Sequence, residues 1–275
     1  MPHAASTPII RRLGLDFSDV PKDWLMDDPV VTTYANGLHL VFPEGERFFI
    51  RSVRAYMHRV DDPALKARVK GFVGQEAMHG KEHEASFEMM AEQGYEVQSW
   101  LRWYRWLAFD VLERWAPARL CLSVTTALEH LTASLGENAL RDDLLDRAHP
   151  TMTTLLRWHA AEEIEHKSVA YDVYQVTGGG WLVRMLGMVV AALGLLFFWT
   201  SAVRHIRRQN PAITRASIRA SKDRHKDIFK RGEVLWAAFS VYARRDFHPD
   251  QVDNLGIAAA WLEGAGLTTP TVCPT

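Results

Sequence analysis

Cysteine is nearly missing from this chain: Cys121 and Cys273 are the two in 275 residues. So few cannot form a disulfide framework, and two unpaired thiols suit a reducing compartment. Net charge is nearly missing as well, with 32 Lys and Arg against 33 Asp and Glu. That balance gives no electrostatic footprint for nucleic acid or for an acidic partner. The first residues, "MPHAASTPIIRRLG", hold no apolar signal core, so the expected location is the cytoplasm. Alternating strand patterns are scarce, and no repeat of fixed period or low-complexity tract is visible. There is no Gly-x-Ser-x-Gly nucleophile motif and no flavin, nicotinamide or iron–sulfur signature. What is plentiful is helical periodicity, together with twelve histidines and ten tryptophans.

The periodicity predicts an all-α chain. A short helix is expected over 30–41, and another over 43–60 with Pro43 in its first turn. Longer ones follow over 63–93, stopped by Gly94, and over 98–115, which is rich in tryptophan. Pro117 starts one to about 135, and Pro150 starts one to about 176, closed by "TGGG". Three parts are expected: an extension over 1–29, a helical bundle over 30–178, and a C-terminal helical region over 179–275. That last part opens with a hydrophobic helix at about 182–205. Within it, Leu186 to Val203 has no formal charge, with Arg184 before it and Arg204, Arg207 and Arg208 after it. Eighteen apolar residues reach the lower limit for a membrane span. Three readings follow: a span, an association with one face of the bilayer, or a buried or dimeric helix. The positive flanks and the unpaired cysteines favour contact with the cytoplasmic side of the plasma membrane.

The densest chemistry lies in "RWHAAEEIEHKS", Arg157 to Ser168. Positions i, i+4 and i+7 share a helix face, which selects His159, Glu163 and His166. They interrupt an apolar stripe formed by Met152, Leu155, Leu156, Ala170, Val173 and Tyr174. Ionisable groups on such a stripe are costly unless paired or bound to metal. The same anomaly recurs three times: Glu76 and His79 at i, i+3 among Val69, Phe72, Val73 and Phe87; Glu46 above Phe49, Ile50 and Val53; and Glu129 among Thr125, Thr126, Thr132, Ala133 and Gly136. One Glu from each of two helices and a Glu-x-x-His from each of two others is the donor set of a four-helix bundle that houses two metal ions. Oxygen and nitrogen donors suit iron or manganese, with zinc as a further option. The long stretch between Glu76 and Glu129 would supply the crossover of a ferritin-like bundle.

At these residues the chain resembles the ferritin-like di-metal carboxylate proteins. "FPEGERFFIRSVR", "QEAMHGKEHE" and "AEEIEHKSVAYDVY" more closely resemble a bacterial family labelled, by prediction, metal-dependent hydrolases. That resemblance runs from Pro29 to Tyr174 and into the hydrophobic segment. The His-x3-Glu-x2-His order of His159, Glu163 and His166 is also similar to the p-aminobenzoate N-oxygenase family, which carries an extra histidine ligand one turn before its last Glu-x-x-His. That second likeness is confined to the ligand pattern. It implies seven ligands here: Glu46, Glu76, His79, Glu129, His159, Glu163 and His166.

Some residues stay ambiguous. His83 is either an eighth ligand or, as preferred, a hydrogen-bond donor to a ligating carboxylate, and Glu162 competes with Glu163. Glu44 competes with Glu46, which continues the apolar stripe better. His130, Tyr171 and Tyr174 are read as structural. The leading functional expectation is a di-iron oxidoreductase or oxygenase, with Glu76, Glu129 and Glu163 as its catalytic carboxylates. Its partners would be dioxygen, a small and lipophilic organic substrate and an external electron donor, and a homodimer is a further expectation. The competing readings are a hydrolase that activates water on two metals, and a non-catalytic metal-binding or membrane scaffold.

Overall fold

The computed structural model describes residues 7–226 and 232–270. Among them, β pairing is limited to one isolated antiparallel bridge between Leu25 and Ala148, and the fold is all-α as expected. Helix α1 spans Pro29–Arg54 and α2 spans Pro63–Glu92. A short helix α3, Gln98–Arg105, runs into a π-helical stretch, Trp106–Glu113. Helices α4, Ala118–Arg141, and α5, Pro150–His166, follow, and α6 is Val169–Val176. Beyond them come α7, Trp181–Gln209, α8, Arg215–Arg224, α9, Gly232–Tyr242, and α10, Leu255–Gly264. Helix α1 packs on α2 and α4, and α5 packs on α2 and α4, so these four close into a bundle. The passage from α2 to α4 is the crossover, carried by α3 and the π-helical stretch.

Local chemistry explains the helix ends. Asp28 and Asp62 each accept from two backbone amides of the following turn, and both helices place proline at the position where its missing N–H costs nothing. Gly94 closes α2 with φ +89°, a conformation natural to glycine.

Three helix boundaries differ from expectation. Pro43 does not start a helix; it lies inside α1. Proline removes one helical hydrogen bond and crowds the carbonyl four residues back. Packing on both sides overrides that cost: Leu40 and Val41 belong to one core cluster and Phe49 and Val53 to another. The expected helix over 150–176 is broken immediately after His166. There the buried Lys167 ammonium donates to Val252 O and Asn254 Oδ1, and Arg68 donates to Ser168 Oγ at 2.7 Å. Helix α4 also runs on to Arg141 rather than ending near 135.

Helix α7 lies across α1 and α4. Its inner face is Gly187, Met188, Ala191, Phe198, Ala202 and Ile206, all buried. The approach to α4 is close: a Cβ built on Gly187 would come within 2.0 Å of Ser123 Oγ and 2.7 Å of the Ser123 backbone. Replacing Gly187 with alanine should therefore destabilise the fold by about 1–3 kcal/mol through overpacking. An unchanged denaturation midpoint would refute that close contact.

Candidate metal centre

Four helices of the bundle point acidic and imidazole groups at one interior region. Glu46 comes from α1, Glu76 and His79 from α2, Glu129 from α4, and His159, Glu163 and His166 from α5. The structure brings all seven sequence-selected residues together, and every one is buried. They fall into overlapping groups able to hold a metal ion: Glu76, Glu129 and His166; His79, His159 and Glu163; and Glu46, His83 and His159. Gly80 gives Glu46 its room, since a Cβ there would sit 3.0 Å from Glu46 Oε2.

The ligand atoms approach one another without satisfying one another. His166 Nε2 lies 3.0 Å from Glu76 Oε1 and 3.3 Å from Glu129 Oε2, yet none of these atoms has a hydrogen-bond partner. Both oxygens of Glu46, Glu76 and Glu129 are in the same state, as is His79 Nδ1. Buried polar atoms are nearly always paired. Close, misaligned and unpaired donor atoms are what a set of ligands aimed at common points would show, so the residues fit a metal site.

The outer atoms, by contrast, are held. Glu162 Oε2 is 3.1 Å from His79 Nε2, which fixes Nε2–H and leaves Nδ1 facing the cluster. Glu162 Oε1 accepts from Arg11 Nη1 at 2.9 Å and from Trp158 Nε1 at 2.8 Å. Glu162 lies outside the grouped ligand atoms, whereas Glu163 stands in a group with His79 and His159. Arg11 also makes a two-pronged pair with Glu165. Gln75 donates to Ile9 O and to Glu165, so its amide oxygen is the atom presented to His166 Nδ1, 2.9 Å away. That leaves His166 Nε2 for the cluster. Thr132 donates to Glu163 Oε2.

His83 Nε2 is 2.6 Å from His159 Nδ1, and His83 Nδ1 is 2.8 Å from His39 Nδ1. Burial, reinforced by neighbouring imidazoles, pushes His83 well below its ordinary value and His39 down to about 3, so both are neutral. The chain of rings has two polarities. With His159 Nε2–H on Glu163, 2.9 Å away, protons point towards the cluster. If Nε2 instead gives its lone pair to a metal, each ring reverses and Nε2 of His39 carries the proton.

Burial raises Glu76 to about 8, Glu129 to about 7 and Glu46 well above the carboxylate range. Burial also opposes the charged forms of Glu163 and His166, but their neighbours win. His159 and His166 hold Glu163 well below the usual range, and Glu129, Glu163 and Glu76 hold His166 well above it.

Of the ambiguous residues, Glu44 accepts from Arg47 and Arg105 and takes no part in the cluster. His130 faces Ala238 O, 2.9 Å away. Tyr171 and Tyr174 donate to Phe247 O and Gly180 O, as structural residues do. Thr126 turns its hydroxyl to Ser123 O and Tyr242. Arg11, Gln75, Glu165 and His39 are site residues that the sequence reading missed. His39 carried a signal, since it precedes Glu46 by seven positions on one helix face. Arg11 lies in an irregular segment where no periodicity exists to read.

An apolar channel ends at this cluster. Its cavity of about 190 Å³ is walled by Phe42, Phe48, Phe109, Val124, Leu128 and Phe198, and reaches Glu46, Thr132, His159 and Glu163. At its other end are the exposed Leu112 and Val190.

Two outcomes are expected. Gln75→Leu should lower metal affinity roughly 10–100-fold by freeing the His166 ring, read by chelator competition; unchanged affinity would refute the orienting role. Between about pH 6.5 and 8, folded protein stripped of metal by chelator should hold more protons than the unfolded chain. Glu76, Glu129 and Glu162 are raised by burial, and His166 by its carboxylates. Stability should then fall as pH rises through that window. Below pH 6.5 the buried neutral histidines, lowered by burial, oppose the trend. Metal loading displaces the protons and should abolish the fall; equal slopes in thermal melts with and without metal would contradict this.

A family model described as predicted metal-dependent hydrolase matches residues 9–253. It takes in Arg11, every residue of the cluster and the whole of α7. No curated protein and no solved structure matches the chain. Nearly all of the sequence, the buried Glu and His set included, falls within that one match, and the chain belongs to the family of predicted metal-dependent hydrolases.

Proposed function

We propose that the protein is a dinuclear metal enzyme acting as a hydrolase, with Glu46, Glu76, His79, Glu129, His159, Glu163 and His166 as its ligands. The observation that carries the metal reading is the convergence of buried, unpaired ligand atoms from four helices. Four buried carboxylates would balance the charge of two divalent cations. The family description supports the hydrolytic class. When bound, such cations supply Lewis acidity that activates a water, and redox-active ones also supply electrons to dioxygen.

The chain's own groups do the rest. Glu162 and Gln75 fix which nitrogen of His79 and His166 is free. The apolar channel holds the substrate and limits bulk water, with Glu46, His159 and Glu163 at its floor. Glu76, Glu129 and Glu163 are the carboxylates proposed as catalytic.

A second reading is oxidation by dioxygen with electrons from a separate donor. It is favoured by the donor pattern itself: two Glu-x-x-His pairs and two single glutamates on bundle helices.

One preparation separates the two. Zinc- and manganese-loaded protein should cleave a long-chain p-nitrophenyl ester equally well with and without oxygen. Glu129→Ala and Glu163→Ala should lose bound metal and drop turnover by more than the roughly 10–100-fold expected of outer-shell partners. No turnover with zinc, together with oxygen uptake by reduced iron-loaded protein, would replace the hydrolase reading with the second. No bound metal in any form would end both.

A further inference from the structure

Helix α7 is apolar on both faces. Its inner face packs on the bundle, while Leu182, Leu186, Val189, Leu193 and Leu196 advance by four and three residues along the outer one, 46–76% exposed. Val190 and Phe197 stand beside them, also exposed. A helix packed on a soluble core carries polar residues on its outer face. Here 28% of the most apolar stretch, of mean hydropathy 2.1, is buried inside the fold. Contiguous exposed apolar surface of this kind marks an interaction site.

Three observations identify the occupant. First, where the stripe ends, Arg204 and Arg208 stand in a surface hollow with Trp100, Trp103 and Phe197. Guanidinium groups beside tryptophans at an apolar edge suit the headgroup layer of an anionic bilayer. Second, the π-helical stretch and its C-terminal flank add Trp106, Leu112 and Trp115, all exposed. Third, the channel opens within this surface: Leu112 and Val190 are at once exposed and part of its wall. A second copy of the chain seated on α7 would cover that mouth. A bilayer would instead feed it, because an acyl-type chain could pass from lipid into the cavity without crossing water.

We propose that the outer face of α7 docks on the surface of an anionic lipid bilayer, and that the channel beside it admits a hydrophobic chain from the lipid to the Glu46–His159–Glu163 floor. This names the substrate class for the site described above and rests on that reading only for what happens at the floor. The docked orientation is monotopic, with α7 parallel to the bilayer and the bundle above it.

The test uses the full chain with phosphatidylcholine vesicles, with and without phosphatidylglycerol, and a long-chain nitroxide-labelled fatty acid as channel probe. Wild-type protein should float with the vesicles, at least tenfold more with phosphatidylglycerol, and the probe should quench its tryptophan fluorescence. Leu193→Glu with Leu196→Glu should lose flotation at least tenfold yet keep probe binding in detergent-free solution. Gly194→Phe should float normally and lose probe binding at least tenfold. Gly194 lines the channel, and a Cβ there meets nothing within 4 Å, so this variant is expected to fold. Circular dichroism and metal content check both variants. Wild-type protein that stays out of the vesicle fraction overturns the docking, whether it runs as a monomer or as a dimer that Leu193→Glu dissociates. Probe binding unaffected by Gly194→Phe overturns the channel. The readings separate from the hydrolase proposal because flotation and probe binding require neither metal nor turnover. They would survive a failure of that proposal, and it would survive theirs.

Discussion

The interior of this bundle is organised around one electrostatic debt: Glu46, Glu76, Glu129 and Glu163 are buried together. An isolated buried carboxylate is prohibitively costly, so such groups must take up protons, pair or bind cations. Without cations, two answers operate side by side. Glu76, Glu129 and Glu46 are pushed towards their neutral forms, while Glu163 stays charged against His159 and His166. The surrounding structure makes sense as a frame that keeps this expensive arrangement from collapsing. Arg11, Glu162, Glu165 and Gln75 form a fixed outer ring that ties the N-terminal segment, α2 and α5 into one network. Buried ion pairs of this sort add little net stability, but removing one member is costly. Their value here is orientation.

The second constraint is dryness. The channel wall is mostly aromatic and aliphatic, with Glu46, Thr132, His159 and Glu163 where it meets the cluster. A low-dielectric approach strengthens each electrostatic interaction at the cluster. The same helix, α7, supplies part of that wall through Ala191, Leu195 and Phe198 and presents its other face outward. Site and surface are thus linked by one element: what α7 touches on the outside and what enters beside it are parts of one arrangement. The π-helical stretch of Trp106–Glu113 forms the opposite lip. A π turn widens the helix and shifts the register of the residues after it, and such turns recur at functional sites.

Family membership and ligand chemistry speak to different levels. The family description is of predicted metal-dependent hydrolases. The helix-borne carboxylates and imidazoles are the groups that could hold the metal. Both levels require the cluster, and they diverge only over whether water or dioxygen is activated there.

Much of the site was legible because helices repeat. Spacing of three, four and seven residues places side chains on one face whatever the tertiary context, so Glu163 and His166, or Glu76 and His79, could be recognised as misfits on apolar stripes. The all-α class and the positions of α2, α7 and Gly94 were readable for the same reason. Other features were decided by tertiary contact alone. Pro43 sits within α1 because core packing on both sides outweighs its lost hydrogen bond, and α5 breaks after His166 where Lys167 is drawn to the segment before α10. Arg11 reaches Glu162 across 151 positions of sequence, and no local pattern announces such a pairing. The sequence by itself determined which faces of the helices carry ionisable groups, because the α-helix has a fixed pitch. Only the folded structure decided which of those groups meet, which are held by partners and which are left bare, because burial and pairing depend on neighbours brought from far along the chain.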